Sequence, residues 1–160
     1  MISRSRISFR PEAPDDEPFL LRLYASTRES EMQVVPWTDQ EKETFVRQQF
    51  EAQTGHYRKF FEDADFLIIV LDGRPVGRLY LHAHENDLLI VDISLLSEVR
   101  GQGIGGLLLR EILDRAAKEG NSVSIHVEQF NPALHLYERL GFKKIKDYGV
   151  YDLMEWRSAT

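Results

Sequence analysis

The sequence predicts one α/β (α+β) domain in which a mixed sheet of about seven strands is flanked by four helices, in the order βααβββαβαββ. Three observations carry this prediction. The apolar spacing switches repeatedly between intervals of three or four, as on one helix face, and intervals of two, as on a strand. Three successive strand-like segments are separated only by turn dipeptides, whereas the later ones are separated by helices. The sheet therefore needs both hairpins and a crossover. Finally, 160 residues that are 42% hydrophobic can build a full core without staples, since a chain of this size buries about 70% of its unfolded surface.

Taken in order, Ile7 and Phe9 alternate with Ser8 and Arg10 and read as a first strand. Asp15, Asp16 and Pro18 form a helix start, and Phe19, Leu20, Leu23 and Tyr24 supply one stripe, so a first helix runs to about Arg28. Trp37 precedes Thr38-Asp39-Gln40-Glu41, a capping box that opens a second helix with its stripe on Val46, Phe50, Gln53, Tyr57 and Phe60. Residues 66–71 form a buried strand, Asp72-Gly73 a hairpin turn, and residues 76–84 the next strand. Asn86-Asp87 turns the chain into a strand over 88–96. A glycine-rich stretch leads into a helix faced by Ile104, Leu108, Ile112 and Ala116 and closed by Lys118 and Gly120. Residues 123–128 are a strand. Asn131-Pro132 supplies a cap and a first-turn proline for a short helix carrying Leu136, Tyr137 and Leu140, stopped by Gly141. Strands over 142–147 and 150–156 complete one domain, residues 1–160, with its core at about 7–157.

The charge balance narrows the partners. Twenty Lys+Arg against 26 Asp+Glu leave −6, which gives no general footprint for nucleic acid. Zero cysteines remove disulfides, thiolate metal sites and any cysteine nucleophile, and suit a reducing compartment. No apolar run approaches the 18–20 residues of a spanning helix. The first ten residues are basic but lack an apolar core for targeting. The expectation is an unprocessed cytoplasmic protein without membrane or nucleic-acid partners; a homodimer is compatible with the sequence.

The most informative segment is Val99-Arg100-Gly101-Gln102-Gly103-Ile104-Gly105-Gly106, between a strand and a helix. Free amides at a helix N-terminus attract anions, and glycines let phosphate oxygens approach them closely; Arg100 would add a charge-assisted donor. Gly101-x-Gly103-x-x-Gly106 matches a dinucleotide fingerprint, with Glu128 near the expected acid. Its context is wrong. Residues 97–100 intervene between the strand and the first glycine, hairpins precede the motif, and too little chain follows for further crossovers.

Read instead as Arg100-x-x-Gly103-x-Gly105, the segment lies in ISLLSEVRGQGIG (93–105), with NPALHLYERLGF (131–142) downstream. Together these motifs resemble the GCN5-related N-acetyltransferase (GNAT) superfamily, and the element order matches that fold from Ile7 to Trp156. Ser97 departs from the proline of many members. The resemblance implies acetyl-coenzyme A (acetyl-CoA) as co-substrate. Backbone amides at Arg100, Gly101, Gln102, Gly103, Ile104 and Gly105, with Gly106 adjoining, would hold the pyrophosphate. Ile93 to Leu95 would lie along the pantetheine arm, and Asn131 near the thiol end. It also puts Tyr137 where the family often places the acid for the leaving thiolate.

An amine attacks a thioester only as the free base, so a proton acceptor is needed. His126 shares a strand face with Ser124 and Glu128 and ordinarily titrates near 6.5. In members that acetylate peptide amines, a glutamate occupies the matching position. Glu128 and Asp92 are weaker candidates, since carboxylates on sheets are usually solvated or salt-bridged. His82 and His84 share a face but lack a third ligand, so no metal is expected. By resemblance, the acceptor cleft is walled by the segment between the first two helices and by the last two strands, which here supply Glu29, Glu31, Met32, Trp37, Tyr148 and Tyr151. Acids beside aromatics suit a cationic amine. Lys143, Lys144 and Lys146 either meet the coenzyme's 3′-phosphate or solubilise an edge strand.

The expectation is therefore an N-acetyltransferase acting on a small amine or peptide amine by direct attack in a ternary complex. A protein N-terminal or lysine acetyltransferase is the alternative acceptor class. An inactive coenzyme-binding regulatory or interaction module is the alternative of another kind.

Overall fold

A computed structural model describes residues 2–129 and 131–158. Met1, Ala159 and Thr160, the ends of the expected 1–160 domain, lie outside the described residues. The order is β1 (Ile7–Pro11), α1 (Glu17–Gln33), α2 (Asp39–Phe60), β2 (Asp65–Leu71), β3 (Arg74–His84), β4 (Asp87–Leu95), α3 (Ile104–Glu119), β5 (Ser122–Glu128), α4 (Leu134–Leu140), β6 (Lys143–Asp147) and β7 (Tyr151–Trp156). The strands form one seven-stranded sheet in the order β1-β2-β3-β4-β5-β7-β6. Every neighbouring pair is antiparallel except β4 and β5, which the α3 crossover makes parallel.

Alternation along the strands feeds two cores, one on each face. Ile69, Leu79, Leu81, Leu88, Ile90, Val123, Ile125 and Met154 pack against Ile104, Leu108, Ile112 and Ala116 of α3 and against Tyr137 of α4. On the other face, Ile68 and Val70 pack against Leu20 and Tyr24 of α1 and Val46 and Phe50 of α2.

Local chemistry sets the element ends. Thr38 Oγ1 accepts from the Glu41 amide at 3.1 Å and Glu41 Oε1 from the Thr38 amide at 3.0 Å, closing the expected capping box. Asp72 and Gly73 both have positive φ, the geometry of a two-residue hairpin turn that matches strand twist. The next turn sits one residue earlier than expected: Glu85 takes φ 51°, and Asp87 already belongs to β4. Helix α1 runs on to Gln33, because Glu29–Gln33 contains no helix breaker. Helix α4 starts at Leu134, since Asn131 Oδ1 accepts from the Ala133 amide at 2.9 Å and Pro132 lies in that turn.

The basic N-terminus is tied to the surface. Arg4 Nε donates to Glu111 Oε2 at 2.7 Å, Arg6 pairs with Asp72, and Ile2 is buried in the larger core. Among the described residues, no helix is long and apolar enough to cross a membrane, and no three His, Asp or Glu side chains cluster as metal ligands.

Candidate active site

The site begins as a fault in the sheet. Parallel pairing of β4 with β5 covers Asp87↔Ser122 through Ile90↔Ile125 and then stops, although both strands continue. Beyond Ile90 the facing edges of β4 and β5 are unpaired with each other. The cause lies in β4: Tyr80 pairs with Asp92 and Leu81 with Ile90, so Val91 is an extra residue, a β-bulge. A bulge bends its strand and resets its alternation. Asp92 and Ser94 consequently point to the α2 face, while Ile93 and Leu95 join Leu88 and Ile90 towards α3.

Just past the end of the splayed strand lies the glycine loop. Gly101 and Gly103 take φ 77° and 87°, a left-handed conformation that costs glycine little. The first bonded amide of α3 is that of Leu107, which donates to Gly103 O at 3.0 Å. Among the described residues, no amide from Gly101 to Gly106 has an intramolecular acceptor. Such amides in alternating conformations at a helix N-terminus form a concave anion site. A depression of about 470 Å³ lined by Ile2, Gly101, Gln102 and Gly103 adjoins them.

Arg100 sits differently from expectation. Its amide donates to Ser97 O, its Nε to Leu95 O at 2.9 Å and its Nη2 to Ser26 Oγ at 3.4 Å. The guanidinium braces the loop against β4 and α1, because the Leu95 carbonyl at the strand end needs a donor. The free amides therefore start at Gly101.

The two expected catalytic side chains approach the opening from opposite faces. Tyr137 is buried in the α3-side core, with its ring edge-on to Phe142 at 5.8 Å. Burial and the Asp92 carboxylate push its phenol up to about 12. His126 lies on the other face, ringed by Tyr151 at 5.2 Å and Tyr148 at 6.1 Å, and partial burial holds its imidazole below the ordinary 6.5. Both groups are thus neutral at pH 7.

The acceptor-side residues do not form one acidic wall. Arg28 on α1 donates to Glu31 at 2.9 Å and to Glu128 at 3.2 Å, and its Nε reaches Tyr24 Oη at 3.2 Å. Trp37 packs on Phe45 at 5.2 Å and lines a depression of about 420 Å³ along the start of α2. Tyr148 stacks on Tyr151 at 5.0 Å, with Lys146 Nζ 4.8 Å above its ring. Lys143, Lys144 and Lys146 lie on β6, the exposed edge strand beyond β7. His82 donates to or accepts from Asp63 at 2.8 Å and stacks near His84.

Sequence reasoning missed a buried network beneath the bulge. Arg78 Nη2 donates to Asp92 Oδ2 and to Gln53 Oε1, both at 2.6 Å, while Tyr57 Oη donates to Asp92 Oδ2 at 3.1 Å and Ser94 Oγ to Asp92 Oδ1 at 2.6 Å. The available signal was a lone arginine inside the apolar run of β3. Asp92, weighed as salt-bridged, is so.

The sequence model of the Acetyltransferase (GNAT) family matches residues 20–142, spanning both cores, the splayed strands and the glycine loop. The chain belongs to the GNAT family. Streptothricin acetyltransferase of Streptomyces lavendulae is 36% identical over 88 residues, covering 51% of this chain and 47% of the relative. The peptidyl-lysine N-acetyltransferase YjaB of Salmonella typhimurium is 34% identical over 95 residues, covering 59% and 61%. These matches thus span less than two thirds of each curated relative. The crystal structure of PaiA N-acetyltransferase from Thermoplasma acidophilum, in complex with coenzyme A, shares the fold at a TM-score of 0.70 and 20% identity, over 95% of this chain and 99% of that one. The GNAT family match includes β4 and β5, the one parallel pair in an otherwise antiparallel sheet among the described residues.

Proposed function

We propose that this GNAT chain, residues 1–160 acting as one cytoplasmic domain, transfers an acetyl group from acetyl-CoA to a primary amine. One observation carries the reading: an unpaired β4 edge runs directly into a loop of unpartnered amides. An extended arm ending in a pyrophosphate needs both, the edge for its amides and the loop for its charge. The residues fit the group.

Acetyl-CoA would supply the acyl group already activated as a thioester. The amides of Gly101, Gln102, Gly103, Ile104, Gly105 and Gly106 would hold the pyrophosphate, and Ile93 and Leu95 would flank the arm. Asn131, whose Oδ1 is used in its turn, would offer its side-chain amide donor. His126, neutral because it is partly buried, would take the proton from the attacking ammonium. Tyr137 keeps its proton throughout the physiological range. A thiolate of ordinary pKa near 8.5 is too weak a base to take the proton from a phenol near 12, so the role of Tyr137 is to donate a hydrogen bond to the departing sulfur. With no cysteine in the chain, direct attack in a ternary complex is the simpler route.

The acceptor is the primary amine of a small molecule or a peptide; the names of the relatives include both classes. With Glu31 and Glu128 bound to Arg28 and Lys146 over the Tyr148 ring, the cation preference falls to Tyr151. The test is a panel of amines and peptides with acetyl-CoA, read by thiol release. Release that depends on an amine supports the proposal. Tight coenzyme A binding without turnover on any acceptor would instead favour an inactive binding module.

A further inference from the structure

The network beneath the bulge is costly to build. The Arg78 side chain is 3% exposed and that of Asp92 11%. Arg78 is sandwiched near the rings of Tyr80 and Tyr57, its Cζ 4.9 and 5.8 Å from their centroids. Its Nε is buried without a partner among the described residues. Buried ion pairs add little net stability over apolar residues of similar volume, and an orphaned donor subtracts from it. Stability alone therefore gives no reason for this pair.

Its position does. Asp92 is the first residue after the bulge, where β4 departs from β5. One of its carboxylate oxygens is gripped from β3 by Arg78 and from α2 by Tyr57, and the other by Ser94 on its own strand. The half of β4 that faces the opening is thereby bolted to the elements behind it. Asp92 is also the charged group whose field reaches Tyr137 from across the sheet. Tyr137 otherwise belongs to the apolar core that includes the buried face of α3, with its ring against Phe142. On α4 itself His135, Glu138 and Arg139 are turned to solvent. On β7, Asp152 is held by Gln129.

Resting on the acetyltransferase reading, we propose that Asp92, clamped by Arg78 and Tyr57, is a positioning residue: it sets the free half of β4 and the charge that Tyr137 meets across the opening. Asp92 does not act as the base, because Arg78, Tyr57 and Ser94 already occupy both oxygens. Burial and, added to it, the negative charge of Asp92 oppose loss of the Tyr137 proton.

Two variants test this, each removing both charges together so that no buried ion is left unpaired. Arg78→Met with Asp92→Leu makes the pair apolar, and Arg78→Gln with Asp92→Asn keeps its polar shape. Circular dichroism and melting identify the folded variant, and either suffices. Phenol ionisation of Tyr137 is read by ultraviolet difference against Tyr137→Phe in the same background. The expected result is ionisation at lower pH than in the parent protein. With a reactive amine, kcat falls by roughly tenfold or more, because the free half of β4 is no longer held in the reactive geometry, while KM for the amine stays within about threefold. An unchanged phenol titration in a folded variant overturns the proposal, as does an unchanged kcat. If the parent protein transfers no acetyl group, the function proposal fails, and the phenol titration still decides whether Asp92 governs Tyr137.

Discussion

Replacing Gly105 with valine separates coenzyme binding from folding. Gly105 has ordinary helical φ, and a Cβ there would meet only Leu95 Cδ1, at 3.9 Å. Glycine is also a poorer helix former than valine by a few tenths of a kcal/mol. The melting temperature of Gly105→Val should therefore stay within about 2 °C of the parent, since 1 kcal/mol moves a chain of this size by about 2–4 °C. Binding should respond very differently. The branched side chain stands beside the amides of the first turn of α3, which oxygens must approach to about 2.9 Å. A hydrogen bond to a charged group contributes about 1.5–3 kcal/mol. Losing two of them costs about 3–6 kcal/mol, or 10²–10⁴ in Kd at 1.4 kcal/mol per decade. Calorimetric titration with coenzyme A reads this directly, and the loss of coenzyme-induced thermal stabilisation reads it independently. A Gly105→Val protein that binds coenzyme A with parental affinity would refute the amide cradle.

Other substitutions probe neighbouring parts of the account. A Cβ on Gly77 would lie 2.3 Å from Ser94 O and 2.9 Å from Leu95 Cδ2. Gly77→Ala should therefore destabilise by about 1–3 kcal/mol, and an unchanged melting temperature would show that β3 and β4 are not so closely apposed. Tyr137→Phe should lower kcat by roughly 10²–10³, as for loss of one donor to developing charge, with coenzyme affinity nearly unchanged; full activity would leave the thiolate to solvent. Burial holds His126 below 6.5, so kcat/KM should fall only as pH drops through a value beneath 6.5, where the imidazole gains its proton. The limb should vanish in His126→Ala, and a variant that keeps it would return His126 to a structural role.

The element order was legible because its signals are local. The Thr38–Glu41 box, the Asp72-Gly73 turn and Gly120 each act within a few residues, and the structure realises all three. The glycine loop was legible for the same reason. Pairwise tertiary contacts were not. That Arg100 turns back to Leu95 O and Ser26, and that Arg28 neutralises Glu31 and Glu128, depends on α1 crossing near β4 and β5. The bulge at Val91 was invisible to a reading in strict alternation, which would place Asp92 on the same face as Ile90. One extra residue reverses that assignment and joins Asp92 to Arg78, residues from different strands that no sequence spacing links.

The most direct test measures released thiol and N-acetylated amine together, by thiol titration and mass spectrometry, while both substrates are varied. The account predicts one thiol for each acetyl amide, initial-rate lines that intersect, and no acetyl group retained on the protein. An acetylated protein that passes its acyl group to amine, with parallel rate lines, would contradict direct transfer between the β4 edge and His126.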